Sequence, residues 1–315
     1  MALSHRSIPA RVVVVSHTAD VGGAEIALLR LLGARDHAAF DVSAIVLEDG
    51  AFPARLRAQG VPTQVIATPG LARVTRNEAA ASIGALWRNA VGSLATSRTV
   101  RRMLREAGAE LVVANSLKSA VIVAIARPRG SEWVWHLHDR LAADYLPAPL
   151  VVGMRALARF GPRQVVANSR ATAATLVGVP ARRVVVAYPG LPPEAFAHRP
   201  GAPSADLPTV GIVGRISETK GQRLFLEAAR RVVSRTPGVR FRIIGGALFE
   251  DAPEERDLRA LVSRSPELAE CVDWAGWVGD TNAELRRLSL AVHASPVPEP
   301  FGQVIVEAMA AGVPV

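Results

Sequence analysis

The sequence predicts an α/β protein made of two doubly wound parallel sheets in series, and three observations carry that prediction. Short apolar, β-branched runs alternate with helix-length segments from the start to about residue 190, the pattern of buried parallel strands joined by crossover helices. A stretch rich in proline, glycine and alanine, PGLPPEAFAHRPGAPSADLP (189–208), interrupts it and can sustain neither a strand nor a long helix. The alternation then restarts with TVGIVGR. We therefore expect a first Rossmann-like domain over 1–195, a linker over 196–208 and a second Rossmann-like domain over 209–315, facing each other across a cleft.

In the first domain the expected strands are RVVVVSH (11–17), DVSAIVL (41–47), ELVVANS (110–116), WVWHLH (133–138), QVVANS (164–169) and RVVVAYP (183–189). Between them GAEIALLRLLGA, AFPARLRAQG, SLKSAVIVAIA and ATAATLVG have helical length and spacing. In the second domain strands TVGIVGR, FRIIGG, VDWAGWV and LAVHASP alternate with helices GQRLFLEAARRVVSR, DLRALVSR and AELRRLS. A last helix is bounded by Pro298 and Pro300 before it and by Gly312 and Pro314 after it. Its Val304, Ile305, Val306, Ala308, Met309 and Ala310 are apolar on nearly every face, so it is expected to pack inside the domain with Glu307 buried. The closing GVPV reads as the start of a further strand, which leaves the second sheet incomplete.

Half of the 315 residues are hydrophobic, enough for substantial cores and against disorder. Cys271 is the single cysteine, so no intrachain disulfide is expected and a reducing cytoplasm is the expected compartment. The opening MALSHRSIPARVVVVSH has too short an apolar run for a signal peptide, and LVVANSLKSAVIVAIA is broken by Lys118 and too short to span a bilayer. Residues 1–200 carry 24 Lys and Arg against 13 Asp and Glu, whereas 201–315 carry 13 against 15. The first half is thus built to face something acidic. Without an aromatic-rich basic motif, nucleic acid is not expected; a phosphorylated substrate or an anionic membrane surface is. Segment 71–106 mixes Leu86, Trp87, Val91 and Leu94 with Arg73, Arg76, Arg88, Arg98, Arg101, Arg102 and Arg105, a composition shared by membrane-surface helices and by ordinary amphipathic ones.

Four places could carry chemistry. Gly22 and Gly23 form a turn opening a helix after the first strand, where backbone N–H groups suit phosphate, although the full dinucleotide fingerprint is absent. Arg215 and Lys220 follow a strand of the second domain and suit a diphosphate, the arginine as a fork and the lysine as a compact charge; two surface cations would look the same. In WHLHDR, His136 and His138 share one strand face. No companion ligand set with metal spacing accompanies them, so no metal is expected. His138 at the strand end is the candidate to meet a substrate hydroxyl, and His136 reads as core. Finally, a buried Glu307 needs a partner, whether an ion pair or a ligand.

Taken together, EPFGQVIVEAMAAGVPV, GRISETKGQ, VGGAE and the His-Asp of WHLHDR resemble the retaining, nucleotide-sugar-dependent glycosyltransferases of family four, which share the two-domain GT-B fold. The most specific element is the E-x7-E pattern of Glu299 and Glu307, and the resemblance covers nearly the whole chain. It implies that Glu307 accepts hydrogen bonds from the donor's ribose and Glu299 from the transferred sugar. Arg215 and Lys220 would hold the diphosphate and stabilise the departing nucleotide. Gly302, Gln303 and Val304 would offer backbone N–H groups, Gly22 and Gly23 would admit the same phosphates, and His138 would sit beside the sugar. It further implies front-face transfer with retention, no cofactor, no metal, and a glycan or lipid-linked acceptor met mainly by the first domain. Family members continue past GVPV, and the missing end is expected to complete the second sheet. A nucleotide-sugar-binding module without transfer, and a GT-B-shaped sugar-nucleotide epimerase, remain as alternatives.

Overall fold

A computed structural model describes residues 8–66, 83–196, 207–247 and 252–315, with backbone alone for 83–93. The chain divides into two compact units, Met1–Gly190 and Leu191–Val315, so the division falls five residues before the end expected for the first domain, and the expected linker, 196–208, belongs to the second unit.

The first unit runs β1 (Ala10–Ser16), α1 (Gly23–Gly33), β2 (Phe40–Val46), α2 (Ala51–Ala58), β3 (Thr63–Val65), α3 (Ile83–Glu106), β4 (Leu111–Ala114), α4 (Leu117–Ala126), β5 (Glu132–Leu137), α5 (Ala148–Phe160), β6 (Gln164–Ala167), α6 (Arg170–Ala174) and β7 (Val184–Val186). The strands form one parallel sheet in the order β3-β2-β1-β4-β5-β6-β7. Its centre explains the near-continuous valine run of β1. Val13 and Val15 enter one core with Leu104, Ala114, Trp135 and Val165, while Val12 and Val14 enter another, on the opposite face, with Leu28, Leu32, Phe52 and Leu56. Each such fully buried aliphatic side chain is worth about 1.5–3 kcal/mol of transfer free energy.

In this unit two elements fall outside the alternation read from the sequence. The three-residue β3 is an edge strand too short to show a period. Helix α5 starts between Pro147 and Pro149, which read as loop punctuation but occupy the cap and first turn, where a missing N–H costs nothing.

The second unit runs β8 (Thr209–Val213), α7 (Gln222–Val233), β9 (Arg240–Ile244), α8 (Ala252–Ser263), α9 (Pro266–Ala269), β10 (Val272–Gly276), α10 (Thr281–Leu285), β11 (Leu290–Val292) and α11 (Gln303–Ala310). Its four parallel strands are ordered β10-β9-β8-β11. Helices α7 to α9 cover one face through Phe225, Leu226, Leu258 and Leu268. The other face packs Leu285, Leu288, Ala308, Ala311 and Val313. The closing residues do lie alongside the sheet, the Ala291 N–H donating to the Pro314 carbonyl at 2.8 Å.

One expectation is corrected here. Helix α11 is not enclosed: Ala308 is its one fully buried residue, Met309 is 65% exposed, and Glu307 is half-buried. Ala308 joins Ala311 and Val313 in the core on this face of the sheet, while Val304, Ile305, Val306 and Ala310 are only partly covered.

Candidate functional site

Open parallel sheets bind ligands at the carboxyl ends of their strands, where the strand order reverses. In the second unit that point lies between β8 and β11, and the expected residues gather there. After β8, Gly214 adopts φ +148°, and a short 3-10 turn, Glu218–Lys220, leads to Gly221 at φ +78°, the cap of α7. A Cβ on Gly221 would overlap the Ala294 carbonyl oxygen, and one on Gly245 would overlap that of Gly214. These glycines let three loops close on one another. Ser295 Oγ donates to the Thr219 carbonyl at 2.7 Å, and Gln222 Nε2 donates to that of Arg215 at 3.0 Å.

That close approach brings Lys220 and Glu299, 79 residues apart, into an ion pair through Lys220 Nζ and Glu299 Oε1. The lysine is 33% and the glutamate 19% exposed, a shielding that strengthens the attraction relative to a surface pair. Arg215 is exposed on the same β8 loop. Helix α11 begins immediately after, capped by Gly302 at φ +79°, so Gln303 and Val304 form its first turn and Glu307 lies one turn further on. The Lys220–Glu299 pair, Arg215 and the positive end of α11 thus all belong to the two loops that leave the carboxyl ends of β8 and β11.

In the first unit the reversal lies between β1 and β4. The loop after β1 is fastened from outside: the Ala19 N–H donates to Glu48 at 3.2 Å, and the Phe52 N–H donates to the Ala19 carbonyl at 2.8 Å. It ends in Gly22, the cap of α1, and Gly23, its first residue. The Gly22 N–H donates to Glu25 Oε2 at 3.1 Å. Glu25 is buried, and burial pushes its carboxyl up to about 7; hydrogen bonds from its own and the Gly22 N–H oppose this, while Asp139 and Asp20 add to it.

Histidines line the same sheet end. His138 follows β5 and is half-buried, its Nε2 3.0 Å from Asn115 Oδ1 after β4. His136 is buried with its ring 4.0 Å from that of His138. Burial lowers both, His136 to about 4 and His138, beside His136, well below its ordinary value. Burial and the Lys118 ammonium likewise lower His17 to about 4. The site therefore presents neutral imidazoles at neutral pH. No group of three metal-ligating side chains occurs among the described residues.

The expected residues thus form two sets: Arg215, Lys220, Glu299, Gly302, Gln303, Val304 and Glu307 in the second unit, and Gly22, Gly23 and His138 in the first. The sequence reading passed over Glu25 as a titrating group and Asn115 as a histidine partner. A signal for Asn115 exists: V-V-A-N-S occurs twice, as 112–116 and 165–169, each time at a strand end.

Comparison with known proteins bears on both units. Residues 22–190 match the family described as glycosyl transferase 4-like domain, and residues 207–315 match glycosyl transferases group 1. The chain is 36% identical over 111 residues to a lipopolysaccharide core biosynthesis glycosyltransferase, LpsE, of Rhizobium meliloti, a match covering 35% of this chain and 29% of that protein. It is 30% identical over 192 residues to a D-inositol 3-phosphate glycosyltransferase of Segniliparus rotundus, covering 56% and 41%. The matched stretches therefore span less than half of these curated relatives. Among solved structures, Anabaena Alr3699/HepE in complex with UDP-glucose superimposes with a TM-score of 0.78 at 25% identity over 97% of this chain and 79% of that one. A sucrose-phosphate synthase from Thermosynechococcus elongatus shares the fold, with a TM-score of 0.75 at 20% identity over 97% and 80% of the two chains.

Proposed function

Because the chain belongs to the glycosyl transferase 4-like family, with a group 1 glycosyl transferase domain following and the GT-B type of fold, we propose that it moves a sugar from a nucleotide-diphosphate sugar to a hydroxyl acceptor. Transfer occurs with retention at the anomeric carbon and needs no bound metal. The observation that supports this reading is the Lys220–Glu299 ion pair, which joins the loop after β8, where Arg215 also lies, to the loop after β11 that leads into α11.

Arg215 and Lys220 neutralise the diphosphate as it departs, the electrostatic service that a metal would otherwise supply. Lys220 reaches the phosphates by exchanging Glu299 for them, and the released carboxylate then accepts from hydroxyls of the sugar. Glu307, half-buried on α11, accepts from the ribose. On the front face the leaving phosphate takes the acceptor proton, so no side chain acts as nucleophile. His138, in the first unit, is the histidine assigned to a hydroxyl of the sugar.

A UDP-sugar is the donor class to test first, since the structure of HepE was determined with UDP-glucose. The acceptor is a cell-envelope glycan or lipid-linked sugar, in keeping with the lipopolysaccharide role named for LpsE and with Arg98, Arg102 and Arg105 exposed on α3. The enzyme works in the cytoplasm, at the inner face of the membrane; none of the described helices is long and apolar enough to cross it.

Incubation with a panel of nucleotide sugars, following UDP release and the fate of the sugar, tests the proposal. Nucleotide release that accelerates with a glycan or lipid-linked acceptor and yields an α-linked product from an α-linked donor supports it. An epimerised donor with no acceptor product would replace it with an epimerase, and donor binding without release would reduce it to a binding module.

A further inference from the structure

Strand β5 lies between β4 and β6, and both neighbours end in the same pentapeptide, V-V-A-N-S. The repeat has a common local use: Ser116 and Ser169 cap the following helices, accepting from the Ser119 and Thr172 N–H groups at 3.1 and 2.9 Å. That fixes each serine and, with it, the asparagine before it. Backbone hydrogen bonds fix the asparagines further, the Asn115 N–H donating to Val15 and the Asn168 N–H to Leu137. Both side chains then turn to one residue. Asn115 Oδ1 lies 3.0 Å from His138 Nε2, and Asn168 Nδ2 lies 3.4 Å from the His138 carbonyl oxygen.

The register explains why Asn115 points as it does. Val15 pairs with Ala114 and Ala114 with Trp135, so one residue on, Ser16, Asn115 and His136 share a row and a face across three strands. Three buried atoms of that row, Ser16 Oγ, Asn115 Nδ2 and His136 Nδ1, have no partner. The asparagine atom that faces His138 is its carbonyl oxygen, while its NH2 is buried on the other side. A carbonyl oxygen can only accept, which requires the His138 proton to be on Nε2.

We propose that Asn115 is a positioning residue: it holds His138 as the neutral Nε2–H tautomer, leaving Nδ1 as a hydrogen-bond acceptor for a hydroxyl of the bound sugar, while Asn168 pins the backbone of the same residue. In physical terms the choice of tautomer decides whether the imidazole accepts from a sugar hydroxyl or donates to it. The consequence for catalysis rests on the proposed placement of His138 beside the sugar, whereas the tautomer itself does not.

The test is long-range 1H–15N correlation of 15N-histidine-labelled full-length protein, with His138 assigned by its disappearance in H138Q, for wild type, N115A and N115D. Wild type should show the Nε2–H pattern from pH 6 to 8. N115A should show a mixture of both tautomers. In N115D, where a carboxylate replaces the amide and His136 remains the neighbouring titratable ring with Asp139 next in the chain, the imidazole should become chargeable within that range. An Nδ1–H pattern in wild type, or spectra unaltered in N115A and N115D, would overturn the proposal. The same variants report on the linked reading: kcat/KM with the nucleotide sugar should fall about tenfold in N115A, the scale of one lost hydrogen bond, and N115D should recover at high pH. Altered tautomers with unaltered kinetics would retain Asn115 as the tautomer's determinant and remove His138 from the sugar site.

Discussion

At the scale of single residues, the paired carboxylate and ammonium at the end of β8 make two different demands. Removing Lys220 leaves Glu299, only 19% exposed, without its counterion, and in the proposed mechanism removes charge stabilisation from the leaving group. K220A should lower kcat by about 10²–10³-fold, read as UDP release at saturating donor, with melting temperature recorded to separate folding from chemistry. Glu307 is half-buried and one turn from the helix start, so E307Q should fold normally yet weaken donor binding about tenfold, the value of a charge-assisted hydrogen bond; unaltered affinity by calorimetry would remove it from the ribose site. Glu25 supplies a pH test. Unfolded, it titrates near 4.5, and folded near 7, so between these values the folded chain keeps a proton that the unfolded chain has released. Its contribution is fully present below pH 4.5 and is lost as pH rises through 7. His17 and His136, lowered to about 4, act oppositely, their contribution being lost as pH falls from about 6.5 toward 4. The isolating measurement is the stability difference between E25Q and wild type, which should move in favour of E25Q from pH 5 to 8 while the Gly22 hydrogen bond persists.

At the scale of elements, loop closure around β8 rests on glycine geometry rather than on side-chain packing. Gly221 combines φ +78° with a Cβ direction blocked by the Ala294 carbonyl, and a backbone oxygen cannot step aside as a side chain can. G221A should therefore cost more than about 2 kcal/mol, visible as a lower denaturation midpoint, and should pull Lys220 away from Glu299. The sequence carried much of this. Period and composition located most strands and helices because parallel strands buried on both faces read as unbroken apolar runs, β1 most clearly. The elements it did not show are those whose signal is short or disguised: β3 has three residues, and the prolines of α5 are start signals that resemble breaks. Motif spacing placed Glu299 just before α11 and Glu307 on it, as the structure has them. The site was less legible where burial had to be inferred, because an all-apolar helix was expected to be enclosed and α11 has only Ala308 fully buried. Partnerships between residues far apart in sequence, such as His138 with Asn115 or Glu25 with Asp139, depend on sheet register, which no local pattern encodes.

On the scale of the whole molecule the dominant feature is charge. Residues 1–200 hold an excess of 11 positive charges, whereas 201–315 are slightly acidic. The proposed donor site draws only on the few cations of the β8 loop, so the surplus in the first unit has another use or none. Its disposition on α3 favours a use. Val100 and Leu104 are buried against the first unit, leaving Arg98, Arg102 and Arg105 exposed on the outer side, while the Arg101 guanidinium is spent on the Ile125 and Ala126 carbonyls that end α4. Arg102 is further tempered by Glu106 at 3.8 Å. Basic side chains near an anionic bilayer gain about 1 kcal/mol each and lose it within a Debye length. The protein should consequently sediment with vesicles containing phosphatidylglycerol at low salt, be released by 0.5 M salt, and ignore vesicles of phosphatidylcholine alone. The charge-reversal variant R98E/R102E/R105E should weaken that binding at least a hundredfold without lowering the melting temperature, since none of the three side chains supports the core. Equal sedimentation of the variant and the wild type would assign the arginines to a soluble role and move the search for the acceptor away from the membrane surface.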